Sequence, residues 1–427
     1  MWKTKKLQRR FSMNTTKISL PESVERVLAR LEAAGFEAYA VGGCVRDSLL
    51  GREVHDWDLC SAATPQEATE LFSDLRVLPT GIEHGTVTLL WEGEPLELTM
   101  FRCEADYDGR APRTVRPART VEEDLQRRDF TVNAMAYSPT RGLIDLYGGQ
   151  EDLAASILRA VGEPSLRFRE DYLRILRALR FSANYGLNIE KTTASAMEAC
   201  ADGLKILSGE RVWQELSKLL TGEQAGAVLA AHGGVLRGLG GGWEDLSFSA
   251  ADGQALDASP KKLCGRLALL LHKNPQKTAI LEALRCPSDV KKRVSRIWER
   301  AENQPADSFK EFCRWLHGFE RTNRAEDWEF AWEMIPPHQS FACGKIQLPL
   351  ETAALIRRIF AEVPLDICDL PITGADLIAA GIPKGPLIGQ TLEKVLEMEW
   401  EAAEDEIASL DRGSRDFITR KFEREGT

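Results

Sequence analysis

The segment over residues 41–60 constrains the fold of this chain most. Residues 36–41 are apolar and lie between Gly35 and Gly42, a pattern that predicts a short buried strand. A second glycine, Gly43, follows, and residues without side chains let the backbone approach a ligand closely. The next residues predict a short helix that ends at Gly51, with its first N–H groups directed at the same space. We therefore expect an anion-binding turn here.

Two carboxylates, Asp56 and Asp58, follow that turn within a dozen residues. On an extended strand, residues two apart point to the same face, so both side chains are predicted to project together. A phosphate cradle beside paired carboxylates is the arrangement that Mg²⁺-dependent phosphoryl or nucleotidyl transfer needs. Each feature alone is commonly a plain turn or a solvated loop. Their order, with Arg46 one turn into the helix, favours the functional interpretation.

Composition limits the class of protein. A chain of 427 residues is too long for one core and predicts several domains, and no apolar run approaches the length of a membrane span. The nine scattered cysteines include no Cys-x-x-Cys pair, which favours free thiols in a reducing cytoplasm over a zinc site or a disulfide scaffold. The net charge of −10 alone argues against a nucleic-acid partner. Residues 101–200 nevertheless hold 14 Arg and one Lys, and a local basic groove is enough to bind phosphates.

Helical and strand patterns alternate in the first third of the chain. Residues 21–34 predict an amphipathic helix, and Thr64 with Glu67 predicts a capping box. Strands are expected near 77–79, 86–90 and 96–102, and in the last one Glu97 would supply a third carboxylate to Asp56 and Asp58. Residues 103–120 lack a period and are rich in Arg, Pro and Gly, which predicts a mobile loop. A capping box at Thr120 is expected to begin the next helix.

Residues 169–181 predict one amphipathic helix, with Tyr172, Leu176 and Leu179 on its apolar side. Asp171 and Arg174 would lie on the opposite side, followed by Arg177 and Arg180. Cytosine and adenine each present an amine beside a ring-nitrogen acceptor, whereas uracil and guanine present a carbonyl beside an N–H. A carboxylate acceptor next to a guanidinium donor therefore complements C and A and opposes U and G. The alternative is an ordinary basic face exposed to solvent.

The second half of the chain is predicted to be helical. Residues 239–260 are rich in Gly and Ser and predict a boundary or an exposed loop. Helices are then expected over 263–272, 277–284, 288–300, 308–321, 324–333 and 351–361, and the segment 373–390 predicts a helix, a Gly/Pro turn and a new helix start.

Three strings in this chain resemble the motifs of the CCA-adding tRNA nucleotidyltransferase and bacterial poly(A) polymerase family. They are the Gly-Gly and Asp-x-Asp stretch over 42–58, Arg-Arg-Asp-Phe-Thr-Val-Asn-Ala over 127–134, and Glu-Asp-Tyr-Leu-Arg over 170–174. The resemblance implies an α+β chain whose nucleotidyltransferase head holds a small mixed sheet and helices, followed by all-α neck, body and tail domains. The expected boundaries are a poorly ordered extension over 1–20, a head over 21–160, a neck over 161–225, a body over 226–340 and a tRNA-binding tail over 341–427.

The resemblance also implies a reaction and roles for particular residues. The chain is expected to add C, C and A to the 3′ acceptor end of tRNA from CTP and ATP, with Mg²⁺ as cofactor and no membrane contact. Arg128 is expected to help shape the ribose pocket. The implied catalytic residues are Asp56, Asp58 and Glu97, with Asp56 and Asp58 as metal ligands, and the implied nucleotide-binding residues are Gly42, Gly43, Arg46, Arg127, Asp129, Asn133, Asp171, Arg174, Arg177 and Arg180.

Several alternatives stay open at this point. A poly(A) polymerase, or an enzyme that adds only CC or only A, belongs to the same family, and the full length of the 103–120 loop favours complete CCA addition. A non-catalytic nucleotide- or RNA-binding module is the alternative of another class, and the intact Asp56 and Asp58 argue against it. Because the helical pattern begins only near Pro21, Met1 and Met13 are both candidate starts.

Overall fold

The structure, a computed structural model, describes residues 17–82, 85–110, 112–303, 309–319 and 363–403, with a few short pieces between 327 and 347. The chain divides into two compact units, Met1–Glu244 and Asp245–Thr427. The predicted fold class is confirmed: a mixed sheet with helices at the N-terminal end precedes a helical remainder. The finer domain boundaries at 160, 225 and 340 stay predictions.

A seven-stranded sheet organises the first unit. Only one neighbouring pair of its strands runs parallel, and the others are antiparallel. In spatial order the strands are β3 (Arg76–Leu78), β4 (Thr86–Trp91), β5 (Glu94–Met100), β2 (Asp58–Ser61), β1 (Ala38–Val41), β8 (Met135–Ser138) and β9 (Gly142–Asp145). The parallel pair is β2 and β5, in the register Asp58↔Glu97 and Leu59↔Leu98. The predicted strands therefore form, and their pairing decides which acids become neighbours.

Short helices cover this sheet. They are α1 (Glu22–Ala33), α2 (Gly43–Leu49), α3 (Pro65–Leu71), α4 (Val121–Gln126) and α5 (Gly149–Ala154). The first buries the expected apolar side, and α3 begins with the predicted capping box between Thr64 and Glu67. The capping box predicted at Thr120 is wrong, because the carboxylate of Glu123 accepts the backbone N–H of Arg119 instead. A buried cluster joins α4 to the sheet, formed by Tyr39, Val41, Cys60, Phe101, Ala118, Val121, Leu125 and Ala136.

The segment predicted as a mobile loop is a β-hairpin. Strands β6 (Arg102–Tyr107) and β7 (Pro112–Pro117) pair antiparallel, in registers such as Glu104↔Val115. The chain reverses near Gly109, whose φ of +82° suits glycine. Strands β6 and β7 form a two-stranded sheet of their own. Neither strand therefore needs the alternating apolar pattern of a strand in a core, and for that reason the sequence did not predict them.

The rest of the first unit is helical, apart from a short parallel pair between β10 (Ile157–Leu158) and β11 (Asn188–Ile189). Its helices are α6 (Pro164–Glu170), α7 (Leu173–Tyr185), α8 (Lys191–Cys200), α9 (Gly209–Leu220) and α10 (Ala225–His232), with 3₁₀ segments at Ala201–Ile206, Gly233–Leu239 and Trp243–Asp245.

The single helix predicted over 169–181 is wrong. Helix α6 ends at Glu170, and Asp171 is extended, with φ −148° and ψ 108°. The Asp171 carboxylate accepts the backbone N–H of Leu173 at 3.0 Å, and its backbone forms a parallel bridge with Gly109. Aspartate side chains that bond nearby backbone compete with helix in this way. Asp171 therefore lies at a break between two helices and not on a helical face.

The second unit follows the predicted helical pattern where it is described. Its helices are α11 (Ala250–Ala258), α12 (Leu263–Leu271), α13 (Lys277–Ala283), α14 (Ser288–Glu302), α15 (Phe309–His317) and α16 (Gly374–Ala379), and residues 386–403 are also helical. The division after Glu244 agrees with the boundary predicted within 239–260. The alternative, an exposed loop, is wrong for Ala250–Ala258, where α11 begins with a capping box between Ser249 and Asp252.

The second unit also contains a short strand pair. Strands β12 (Ala342–Cys343) and β13 (Ile346–Gln347) pair antiparallel. The helices predicted over 324–333 and 351–361 lie largely outside the described residues. In the described ranges, no helix combines the length and the apolar character needed to cross a bilayer.

Two glycines of one 3₁₀ segment, Gly234 and Gly238, give a test of packing in the first unit. A methyl group on Gly238 would lie 2.1 Å from the backbone oxygen of Ala201, whereas one on Gly234 would meet nothing within 4 Å. We expect Gly238→Ala to destabilise the protein by about 1–3 kcal/mol through overpacking. Gly234→Ala, the matched control, should be neutral or stabilising by about 0.4–1 kcal/mol. Thermal unfolding of both variants measures this, and equal melting temperatures would contradict the close approach.

Candidate active site

A cavity of about 730 Å³ lies in the first unit, within the usual size range of ligand sites. All but two of the thirteen predicted site residues line it, the exceptions being Gly42 and Asp56. Eight arginines and six acids contribute to its wall: Arg46, Arg102, Arg127, Arg128, Arg174, Arg177, Arg180 and Arg211, with Asp58, Glu97, Glu104, Asp124, Asp129 and Asp171. Residues more than a hundred positions apart in the chain thus meet in one place.

The carboxylates of the sheet lie side by side at one edge of this cavity. Strand β2 begins at Asp58, and the parallel register places Glu97 of β5 directly beside it. Asp56 precedes the strand and is exposed, so the predicted shared strand holds for Asp58 only. Burial raises the pKa of Asp58, Arg128 opposes that rise, and Glu97 and Asp56 add to it. The three acids therefore share one electrostatic environment.

These acids suit a hard divalent cation only in combination with other ligands. Within the described part of the chain, no group of three or more His, Cys, Asp or Glu side chains is arranged to hold a metal ion. Mg²⁺ is usually bound by one or two carboxylates, several waters and the phosphates of a substrate. Oxygen donors from Asp56 and Asp58 fit that mode, since the substrate would supply the remaining ligands.

The turn at Gly42 makes room for an arginine. Gly42 has φ +80°, and a methyl group there would lie 2.7 Å from Nη1 of Arg128. Arg128 donates from Nη2 to Asp124 at 3.2 Å, and its side chain reaches the same region as Asp58. The double glycine thus lets the guanidinium approach the start of α2, while Gly43 itself faces the cavity.

Arg46 is buried and largely engaged within the protein. Nε and Nη2 donate to the two oxygens of Asp47 at 2.9 Å, and Nη1 donates to Oδ1 of Asn133 at 2.6 Å. Nη2 also donates to the hydroxyl of Tyr185, whose ring centroid lies 4.0 Å from the guanidinium carbon. Four of its five N–H groups therefore have protein partners. Its predicted contact with a triphosphate stays a prediction and would use the fifth.

Arg127 and Arg174 are held by carboxylates from different elements. Arg127 donates to Asp124 at 2.8 Å and to Glu104 of the hairpin at 2.6 Å. Arg174 donates from Nη1 to Glu170 at 2.5 Å, and from Nη2 to the backbone oxygen of Arg127 at 3.0 Å. Burial alone would raise the pKa of Asp124, but Arg128 and Arg127 outweigh it and hold that pKa below its ordinary value. The hairpin and the two arginine motifs are thereby linked.

Asp129 and Arg177 form a charged pair deep in the cavity wall. The Asp129 carboxylate accepts three hydrogen bonds: from Nε of Arg177 at 2.7 Å, from the backbone N–H of Phe130 at 2.8 Å and from Nδ2 of Asn133 at 3.2 Å. Burial raises the pKa of Asp129, but the charge and hydrogen bond of Arg177 outweigh burial and hold it at about 2. Arg180 pairs in a similar way with Glu215 of α9, at 2.5 Å. The predicted pocket residues thus form one network.

Several cavity residues were not predicted from the sequence. Glu104 and Tyr107 belong to the segment expected to be a mobile loop, and Arg211 belongs to α9. Phe181 and Tyr185 also line the cavity, each packed against arginines of the wall. Only these two carry a local signal, because they continue the Arg174, Arg177 row at spacings of three to four along α7.

Comparison with known proteins identifies the family of this chain. Residues 38–159 match the poly(A) polymerase head domain, and residues 186–231 match a probable RNA and SrmB-binding site of polymerase A. The chain is 35% identical over 383 residues to the CCA-adding enzyme of Limosilactobacillus fermentum, an alignment that covers 87% of this chain and 90% of that one. The chain belongs to the CCA-adding enzyme family. It is accordingly an enzyme, a tRNA nucleotidyltransferase.

Two further relatives show how the similarity is distributed. The CCA-adding enzyme of Leuconostoc mesenteroides is 48% identical over 204 residues, and the alignment spans 48% of this chain and 50% of that enzyme. The crystal structure of the Bacillus stearothermophilus CCA-adding enzyme in complex with CTP matches with a TM-score of 0.65 at 28% identity, covering 94% of this chain and 100% of that one. Nucleotidyltransferases of this family normally use a divalent metal.

The buried pair of Asp129 and Arg177 predicts how stability depends on pH. Because the pKa of Asp129 falls from about 4 when unfolded to about 2 when folded, the pair contributes roughly 2–3 kcal/mol above pH 4, and this is lost as the pH falls from 4 to 2. We expect Arg177→Gln to destabilise the first unit at pH 7 by about 3–5 kcal/mol, since it leaves a buried carboxylate without its charged partner. The fall in stability over that acidic interval should then be smaller than in the unaltered protein, since only other acids such as Glu190 still contribute to it.

The measurement is urea unfolding of the full chain at pH 3 and pH 7, with hydrogen exchange of α7 amides as the local readout. Arg30→Gln is the matched control, because it removes an arginine from the solvent-exposed pair with Asp74. That change should cost at most about 1 kcal/mol. If the two variants lose the same free energy of unfolding, the buried Asp129–Arg177 pair is no more important for stability than an exposed pair, and the prediction is wrong.

Proposed function

We propose that this chain adds C, C and A stepwise to the 3′ end of tRNA from CTP and ATP, without a nucleic-acid template. The observation that carries the proposal is the single cavity in which the acids of β2 and β5 face Asp171 and Arg174. Chemistry and base selection would thus act on one bound nucleotide. Membership in the CCA-adding enzymes supports this reaction over poly(A) synthesis and over a binding module without catalysis.

The reaction is an in-line displacement at the α-phosphorus of the nucleotide. The terminal 3′ oxygen of the tRNA forms a bond to phosphorus, its proton passes to solvent or a nearby base, and the bond to pyrophosphate breaks. Asp56 and Asp58 would hold Mg²⁺, which activates the attacking hydroxyl and neutralises charge on the leaving group when bound. Glu97, beside Asp58 in the sheet, would help to orient these ligands. The choice of Mg²⁺ rests on the oxygen donors alone.

The arginines of the cavity wall would receive the triphosphate. Eight guanidinium groups outnumber the six acids among the cavity-lining residues, so the wall has an excess of positive charge. Arginine presents a planar fork of donors that fits phosphate oxygens. Arg177 and Arg180 line the cavity from α7, and Arg127 lines it where it pairs with Glu104 of the hairpin. An incoming triphosphate would therefore compete with the carboxylates that hold these side chains.

Asp171 and Arg174 would select the base. Three of the five N–H groups of Arg174 donate to protein atoms, which fixes the orientation of the guanidinium group. The remaining two N–H groups would be available to the base. An ionised Asp171 can only accept hydrogen bonds, so the pair complements the amine and ring nitrogen of C and A. Asp129 and Asn133 stay the predicted contacts to the ribose, where a 2′-hydroxyl can both donate and accept.

Three further expectations also stay predictions. The eight cysteines described as free thiols fit the reducing cytoplasm expected from their scatter. The helical second unit is proposed to contact tRNA by its backbone and shape. Complete CCA addition, as opposed to CC-only or A-only addition, is proposed because the β6–β7 hairpin is present at full length.

The proposed reaction is tested with tRNA that ends before CCA, or in CC, incubated with CTP, ATP and Mg²⁺. We expect growth by C, C and A, then a stop, while a long A tail would support the poly(A) alternative. Asp58→Asn should lower the rate by roughly a thousandfold or more, because several kcal/mol of charge stabilisation at the phosphorus are lost. Glu97→Gln should also slow addition. Glu94→Gln, an exposed acid on the same strand, is the control and should behave as the unaltered enzyme.

Base selection is tested separately with Asp171→Ala. Loss of the acceptor should lower the preference for CTP over UTP by about 10- to 100-fold, as expected for a paired base contact worth about 1–3 kcal/mol. Single-nucleotide addition with each triphosphate measures this. Asp202→Ala, which removes an exposed carboxylate of the same unit, is the control. If Asp171→Ala retains normal discrimination, the assignment of Asp171 to the base is wrong.

A further inference from the structure

Arg211 links three parts of the first unit through one guanidinium. It lies in the first turns of α9, and about a third of its side chain is exposed. Nη2 donates to Oδ2 of Asp171 at 2.9 Å, and Nη1 donates to the backbone oxygen of Arg110 in the hairpin at 2.5 Å. The proposed base-reading carboxylate thus has a charged partner from outside the segment that carries it.

The Asp171 carboxylate is held from both sides. Oδ1 accepts the N–H of Leu173 at 3.0 Å, while Oδ2 accepts Arg211. The adjoining backbone is tied to the hairpin, since Tyr172 donates its N–H to the oxygen of Gly109 at 2.9 Å. The direction of the carboxylate is consequently set by Leu173 and Arg211, because Asp171 stands between helices and has no helical geometry to orient it.

We propose that Arg211 is a positioning residue that determines nucleotide specificity, by keeping Asp171 an ionised hydrogen-bond acceptor aimed into the cavity. This inference rests on the proposed role of Asp171 in base selection. It assigns no contact between Arg211 and the nucleotide.

The chemical reason lies in what protonation does to a carboxyl group. An ionised carboxylate only accepts hydrogen bonds, whereas a protonated one carries an O–H donor. A donor at this position complements the carbonyl of uracil or guanine, the bases that the site must reject. The ionised form of Asp171 therefore maintains the correct selection, and the protonated form, which can both donate and accept, relaxes it.

The surroundings of Asp171 make its protonation sensitive to Arg211. Burial raises the pKa of Asp171, and Arg211 is the strongest of the groups that lower it. The elements next to Asp171 contribute both cations and acids. The cations include Arg211 of α9, Arg174 and Arg177 of α7, and Arg110 of the hairpin turn. The titratable groups include Glu170 at the end of α6, Asp108 of the hairpin turn, and Tyr172 beside Gly109. Glu170 is itself bound to Arg167 and Arg174, and Asp108 accepts the N–H of Arg110.

The test compares the CTP-to-UTP ratio of kcat/KM between pH 5.5 and 8.5, using the full chain and tRNA that ends before CCA. Arg211→Gln should lower the ratio by roughly 10- to 100-fold, the range expected when a charged hydrogen-bond partner is removed. The loss should deepen as the pH falls, because more Asp171 becomes protonated. Arg211→Lys retains the charge and should show a smaller loss in the same direction. Lys218→Gln removes an exposed charge from the same helix and should match the unaltered enzyme.

A merely structural role for Arg211 gives a different result. In that case Arg211→Gln would slow CTP and UTP addition equally, with an unchanged ratio at every pH, and the proposal would be overturned. If the neutral variant does not fold, Arg211→Lys carries the test. A rise in the pH at which UTP use begins, relative to the unaltered enzyme, supports the proposal, and no shift overturns it.

Asp171→Asn separates this inference from the proposed function. An amide offers both a donor and an acceptor and does not titrate, so this variant should accept UTP independently of pH. Arg211→Gln combined with Asp171→Asn should then discriminate no worse than Asp171→Asn alone, because Arg211 acts through the carboxylate. Additive losses overturn the role of Arg211. Normal discrimination by Asp171→Asn would instead overturn the base-reading assignment itself.

Discussion

The ion pairs between arginines and carboxylates around the cavity are the interaction on which the rest of the first unit depends. Eight guanidinium groups in one wall would repel each other strongly in a partly buried site. Several of the pairs described above bring a carboxylate from another element, as Asp129 does for Arg177 and Glu215 for Arg180. The network therefore neutralises charge and also fixes how the sheet, the hairpin and the helices meet.

The same network prepares the site for its substrate. Side chains held by several partners lose little freedom on binding, which is the physical meaning of preorganisation. Arg46 illustrates the point, because Asp47, Asn133 and the ring of Tyr185 hold it before any nucleotide arrives. Under the proposed function, a triphosphate would meet arginines that are already ordered, so little side-chain freedom would be lost on binding.

The hairpin connects chemistry to selection. Glu104 of β6 holds Arg127, while the turn at Gly109 and Arg110 contacts Asp171 and Arg211. One element thus contacts both the nucleotide-binding motif and the proposed base reader. Its strand pattern was invisible in the sequence because Arg102, Glu104 and Tyr107 of β6 line the cavity and do not give the apolar alternation of a core strand. The role of Arg211 could not be predicted either, because its partner Asp171 lies forty positions earlier in the chain.

Local sequence determined most of the helices and strands of the first unit and the chemistry of its nucleotide site. The glycine pair with Asp56 and Asp58 was sufficient to predict phosphoryl or nucleotidyl transfer, because glycine freedom and carboxylate ligation are properties of residue types. The Arg-Arg-Asp string contributed only the resemblance to the family. Tertiary structure alone decided the neighbours. The parallel register of β2 and β5 places Glu97 beside Asp58. The backbone bridge between Gly109 and Asp171 holds Asp171 outside a helix, although the apolar spacing over 169–181 predicted one continuous helix there. Periodicity reports which face of a segment is apolar, but strand register and long-range ion pairs depend on partners that no local pattern contains.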